Sequence, residues 1–485
     1  MPPFDLVIRG GEVVTASERF RADIGIKGGR IAALGEELAK GADEIDARGK
    51  LVMPGGIDAH CHIEQKSSVG LMTADDFFTG TRSAACGGTT TVIPFAAQHR
   101  GMSLRAVVKE AMENASAKAT IDYALHMIVS DPTEQVLGQE LPALIRDGIT
   151  SFKIYMTYDM LKLDDKQILD VMAVARREGG FVMVHAENWE AITWLSQKLL
   201  DYGHSAPKFH AVSRPMAVER EATHRAIMLS ELVDVPILIV HVSGAEAIEQ
   251  IRWAQSKGLK IYAETCTQYL ALAAEDLDQP GLEGARHMCS PPPRERSNQP
   301  AVWNGLKTGV FQVLSSDHAP FRYDSSGKLA GGPKTNFKKI ANGVPGLEVR
   351  LPILFSEGVG KGRIDIHQFV AVSSTNPARL YGLAPRKGSI AVGGDADIAI
   401  WDPNKEVTIS QDILHDNMDY TPYAGIKVKG WPVITLSRGE VVCRDMEFLG
   451  KKGRGQYLPR ELSPMAQPLG RLPTGFDPHT GVYKG

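Results

Sequence analysis

Two histidines stand one residue apart in Gly55-Gly56-Ile57-Asp58-Ala59-His60-Cys61-His62, directly after the apolar run Lys50-Leu51-Val52-Met53-Pro54. Alternate side chains of a strand share a face, so His60 and His62 point one way and Cys61 the other. Two imidazoles about 7 Å apart on one face can close on a single metal ion, and Cys61 is expected to pack in the core. Four more metal-type or unusual side chains stand in or just after apolar runs. Lys153 sits in Ser151-Phe152-Lys153-Ile154-Tyr155, His185 ends Phe181-Val182-Met183-Val184-His185, His241 follows Ile239-Val240, and Asp317 follows Leu314-Ser315-Ser316. Singly, each has an ordinary reading, as a hydrogen-bonded core histidine or a snorkelling lysine. Together they form a metal-ligand constellation, provided the fold brings the five run ends to one place.

The elements supply that place. Apolar runs of strand length cover 89–96, 121–129, 151–157, 181–185, 237–242, 260–265 and 312–316, and with the run ending at His62 they make eight. Stretches of helical period lie between them, for example 104–117, 165–178, 220–232 and 245–257. Continuous apolar strands alternating with helices imply a parallel sheet covered by helices. Eight such units predict an α/β fold, a (β/α)8 TIM-like barrel over 55–379 whose active site lies at the C-terminal ends of the strands. An open doubly wound sheet is the alternative, although no G-x-G-x-x-G follows the first strand. Short strands with Gly-Gly turns occupy both chain ends, and neither set can bury a core alone. One smaller β-sandwich domain from 1–54 and 380–446 is therefore expected. The remainder, 447–485, is basic and rich in Pro and Gly. It is read as an arm that is either disordered or laid on another surface.

Composition excludes several classes. A net charge of −3 over 485 residues gives no basic field for nucleic acid. No apolar run is long enough for a membrane span, and the first residues carry no secretory pattern. Five scattered cysteines without C-x-x-C suggest reduced thiols and a cytoplasmic setting.

Lys153 needs its own account, because an ammonium repels metals. Burial lowers a lysine pKa and can leave the amine neutral. A neutral amine can capture carbon dioxide and become a carbamate, an anionic ligand with two oxygens. His60, His62 and Asp317 would then hold one ion, and His185 and His241 the other.

With these residues, Ala85-Cys86-Gly87-Gly88-Thr89-Thr90-Thr91-Val92, Phe152-Lys153-Ile154-Tyr155-Met156, Glu264-Thr265-Cys266 and Ser316-Asp317-His318-Ala319-Pro320, the chain resembles the dihydropyrimidinase and D-hydantoinase group of the amidohydrolase superfamily over nearly its whole length. The resemblance implies two zinc ions bridged by carbamylated Lys153 and by a hydroxide whose proton Asp317 takes and later returns to the leaving nitrogen. It implies that Tyr158 hydrogen-bonds the developing oxyanion, that Ser290 and Asn342 hold the substrate's imide edge, and that the assembly is a homotetramer, with 447–485 placed to embrace a neighbouring subunit. His318 is a candidate to orient Asp317, and His126 to reach the mouth.

The implied reaction is hydrolytic opening of a cyclic ureide or imide. Glu64 stands where dihydroorotase-like relatives carry an Arg, which argues against a carboxylated ring. The polar stretch after His62, residues 63–70, leads to an expected preference for dihydrouracil and dihydrothymine. A D-hydantoinase of broader 5-substituted range, an allantoinase and a metal-free scaffold homologue are the alternatives.

Overall fold

The computed structural model describes residues 2–67, 69–478 and 480–483. Ser68, within the polar stretch after His62, lies outside the described residues, as do His479, Lys484 and Gly485 at the end of the arm. Eight barrel positions follow the chain: Gly56–Cys61, Thr89–Ala97, a split third strand of Asp122–Tyr123 and His126–Ile128, then Ser151–Tyr155, Phe181–His185, Ile237–Ile239, Ile261–Cys266 and Val313–Ser315. Each pairs in parallel with its sequence neighbour. The eighth meets the first through Ser316 N–H to Asp58 Oδ1 (3.2 Å), Ser316 Oγ to the His60 carbonyl (3.3 Å) and His62 N–H to the His318 carbonyl (2.7 Å). The sheet is thus closed at its mouth, and the open-sheet alternative falls.

The elements form where their sequences favour them. The helix Asp165–Glu178 starts at a reciprocal cap. Asp164 accepts from the Gln167 N–H while the Gln167 side chain accepts from the Asp164 N–H, and Gly179 ends the helix in left-handed backbone (φ 78°). Such a cap stabilises a helix by about 1 kcal/mol. The next strand, Phe181–His185, is buried along its whole length, as a strand covered on both faces must be. The third run is broken because the Tyr123 N–H bonds the Gln456 carbonyl (3.0 Å).

The chain ends form a nine-stranded mixed sheet in which Leu51–Pro54 joins the N-terminal strands to Ile398–Thr408 and Lys427–Ser437. It folds around Ile8, Val13, Ile24, Val52, Ile398 and Leu436, a core that both ends must supply. The strand Glu447–Phe448 extends this sheet past residue 446. Beyond it, residues 453–471 lie on the chain's own barrel floor. The Gly455 N–H bonds the Ala119 carbonyl (2.8 Å), the Leu458 N–H the Tyr123 carbonyl (2.7 Å) and the Arg460 N–H the Gly148 carbonyl (3.0 Å), and Leu458 and Arg460 are buried. Unable to form a core of its own, this stretch uses the barrel's, so over these residues the surface it covers is intramolecular.

Candidate functional site

The six predicted ligands meet at the barrel mouth. Strand pairing sets Lys153 opposite Met183 and Tyr155 opposite His185, which places Lys153 and His185 on one inward face. His60 Nε2 lies 3.1 Å and His62 Nε2 3.3 Å from Asp317 Oδ1, and Lys153 Nζ lies 2.7 Å from His60 Nε2. His241 Nε2 faces His185 Nδ1 at 2.8 Å. Tyr158, His241 and Asp317 hold left-handed backbone, with φ of 69°, 39° and 47°. Such strain is retained where surrounding structure over-determines it, and functional sites are a common place.

An outer ring of acceptors orients the imidazoles. Glu264 Oε1 accepts from His60 Nδ1 (2.6 Å), Gln65 Oε1 from His62 Nδ1 (2.8 Å), and Glu187 Oε2 from His185 Nε2 (2.7 Å). Each acceptor fixes the proton on the far nitrogen and leaves the other lone pair aimed into the mouth, as metal-binding histidines require. Glu187 also takes Arg214 Nη1 at 2.6 Å, and Arg214 with His185 holds its carboxyl down at about 2 against the opposing effect of burial. Burial lowers Lys153 to about 8, so a larger fraction of the amine is neutral than for an ordinary lysine. Burial lowers His185 to about 4 and His241 well below its ordinary value. Asp317 is held well below the carboxylate range despite burial, chiefly by His60.

The residues fit divalent metal. His60, His62 and Asp317 offer ligand atoms within 4.8 Å of one another, two imidazole lone pairs converge at His185 and His241, and His241 Nδ1 is buried with no partner among the described residues. A cavity of about 280 Å³ opens above them. Tyr158, Ser290 and Asn342 all line it, so the three predicted substrate contacts are brought together. Burial raises the Tyr158 hydroxyl above its ordinary pKa and keeps it a donor.

A sequence model of the amidohydrolase family matches residues 51–442. The chain belongs to the amidohydrolase family. It is 46% identical over 457 residues to the D-hydantoinase of Geobacillus stearothermophilus, covering 94% of this chain and 96% of that one. It is 45% identical to the D-hydantoinase of Ralstonia pickettii, over 94% and 99% of the two chains. The crystal structure of dihydropyrimidinase from Brevibacillus agri superposes with a TM-score of 0.92 at 43% identity, over 94% and 99%. With its donor cluster intact, this amidohydrolase is an enzyme of the hydantoinase and dihydropyrimidinase type.

Several expectations are corrected. His318 does not orient Asp317. Its Nε2 bonds Asp75 (2.9 Å) and its Nδ1 accepts from the Gly346 N–H (3.1 Å), facing away from the cavity. His126 does not reach the mouth, because it bonds the Ala59 carbonyl (3.0 Å) and Ser151 (2.5 Å) inside the barrel. Glu64 pairs with Lys118 and accepts from the Phe77 N–H (3.2 Å), and it is not among the residues that line the cavity. Three cationic side chains line the cavity: Lys153, the exposed Lys338, and Arg214, which is neutralised by Glu187. Cys61 is buried in the outer core, as strand alternation required. The polar stretch after His62 is only partly a cavity wall: Gln65, Ser67 and Val69 line it, while Lys66 bridges back to Met72.

Sequence reasoning missed Gln65, Glu187, Arg214, Glu264 and Lys328. Glu264 stood in a quoted motif, Glu187 stands two residues past His185, and an acceptor search around each histidine would have flagged Glu187. Lys328 Nζ donates to the Met288 (3.1 Å) and Ala341 (2.9 Å) carbonyls, clamping the segments that carry Ser290 and Asn342. Only the folded chain brings those segments together.

Proposed function

We propose that this enzyme hydrolyses the ring amide of 5-monosubstituted hydantoins to N-carbamoyl amino acids. The observation that carries this is the outer cavity wall, where Met160, Leu161, Ile192, Phe337 and Ile340 offer an apolar surface to a ring substituent. The D-hydantoinase relatives support it. A second reading, dihydrouracil and dihydrothymine as the natural rings, is favoured by Gln65, Ser67 and Thr73, polar residues that line the same cavity.

His60, His62 and Asp317 would hold one ion, His185 and His241 the other, with Lys153 as a carbamate contributing to both. Two zinc ions so held supply Lewis acidity toward the carbonyl and water activation at neutral pH. Asp317 takes a proton from the attacking water and returns it to the ring nitrogen as the C–N bond breaks. The Tyr158 hydroxyl donates to the carbonyl oxygen as charge develops there, and Ser290 and Asn342 hold the imide edge. Losing one oxyanion donor costs about 10²–10³ in kcat.

The substrate test compares kcat/KM for D-5-phenylhydantoin, hydantoin and dihydrouracil. A clear preference for the aryl ring supports the first reading, and a preference for dihydrouracil establishes the second. For assembly, Trp194, Tyr202 and Val212 are large apolar side chains left exposed, which a neighbouring copy would cover in a homotetramer. Light scattering at the mass of a single chain would overturn that.

A further inference from the structure

Another cluster of metal-type donors lies where the helix Phe77–Cys86 meets the outer sheet. Cys86 closes that helix, Glu348 lies just before Arg350–Leu354, His415 lies in the loop ahead of Lys427–Ser437, and Cys443 lies in Glu440–Arg444. Cys86, Glu348 and His415 each offer a ligand atom, all within 4.8 Å of one another, and the Cys443 thiol is a neighbour of the Cys86 thiol just outside that group. Both thiols and the carboxylate are buried, while His415 is partly exposed and gives a route from solvent. The approach is fixed by the backbone, because a Cβ on Gly87 would run into the Glu348 carbonyl.

The polar partners leave a place for a cation. Glu348 Oε2 accepts from the His415 N–H (2.8 Å) and from Ser83 Oγ (3.3 Å), and its Oε1 faces His415 Nδ1 at 2.8 Å. Among the described residues its only charged partner is His415. His415 Nδ1 is thereby aimed at the cluster. Nδ1 and Oε1 facing each other need a proton or a metal ion between them. Two adjacent thiols favour the metal.

We propose that Cys86, Cys443, Glu348 and His415 form a second metal site, taking a zinc-class divalent ion and fastening the barrel to the outer sheet. Two thiolates, an imidazole and a carboxylate make a closed four-ligand set of the structural zinc type. On binding, each thiol releases its proton to solvent, so occupancy rises with pH. The site is independent of the reading of the barrel mouth, whose ligand set contains no sulfur.

The test loads the full-length protein with cobalt(II) and records its near-ultraviolet spectrum alongside metal content. A thiolate-to-cobalt charge-transfer band is expected in the wild type. It should be lost in Cys86→Ser and Cys443→Ser and weakened in His415→Ala, with one fewer metal per chain and ring opening retained. A cobalt-loaded wild type with no thiolate band would overturn the proposal, whether or not the cysteine variants fold. So would a Cys86–Cys443 disulfide in the protein as isolated.

Discussion

The mouth and the floor of the barrel are both buried and both full of charge, yet they treat it oppositely. At the floor, Lys387 Nζ meets Asp122 (2.7 Å), Asp395 (2.9 Å) and Asp397 (2.5 Å), and Arg460 donates to Ser151 Oγ and the Leu125 carbonyl, each at 2.6 Å. Opposite charges are paired there around Lys387, although Arg460 Nε is buried with no partner among the described residues. At the mouth, a lysine faces an imidazole, two imidazole nitrogens face each other, and His241 Nδ1 has no partner among the described residues. Charge that is saturated holds a fold together, whereas lone pairs that converge without partners are arranged to bind something else. In barrels of this class the floor serves stability and the mouth chemistry.

That contrast can be broken by exchanging the expected phenotypes. Asp317→Asn keeps the shape of the mouth and removes its proton carrier. Activity should fall by about 10²–10⁴-fold with the denaturation midpoint little changed, as measured by ring opening and urea unfolding on one preparation. Near-normal turnover would remove Asp317 from the mechanism. At the floor, Lys387→Met leaves the buried Asp397 without its cation, while Asp122 keeps Arg438 and Asp395 keeps Arg386. It should cost about 3–5 kcal/mol in urea unfolding while kcat stays within a small factor of wild type; a large loss of kcat at unchanged stability would erase the distinction between the two ends.

Glu187→Gln sharpens the comparison within the mouth. It leaves His185 in place but removes the anion that fixes its proton. Metal affinity measured by competition with a chelator should fall by about 10–100-fold, and an unchanged affinity would make Glu187 only the partner of Arg214.

The smallest effect concerns Lys328, which burial lowers to about 7 from 10.5. The unfolded chain therefore holds this proton through a window in which the folded chain has released it. The contribution is complete above about pH 10.5 and is lost as pH falls toward 7. Lys328→Met should flatten the rise in unfolding free energy between pH 7 and 9, and should raise KM more than it lowers kcat. A variant with the wild-type pH slope would show that the amine does not titrate there.

Legibility followed the range of the interactions. The helix at 165–178 and the strand at 181–185 were readable because a cap, a glycine stop and an unbroken apolar run are local. The third strand was read as one run and is two, because its interruption comes from Gln456, far along the chain. The arm was read as unable to fold alone, but nothing within 447–485 says that Leu458 and Arg460 fit the floor of their own barrel. Lys328 and Arg214 were missed for the same reason, since their partners lie in other segments.

The sequence by itself determined the barrel, the shared outer sheet and the identity of the six residues that meet at the mouth, since side-chain type and strand period are properties of short stretches. Only the tertiary structure decided which nitrogen of each imidazole faces inward, which histidines turn away, and how Cys86, Glu348, His415 and Cys443 come together. Those outcomes depend on hydrogen bonds and close packing between residues far apart in the chain, and no local period records them.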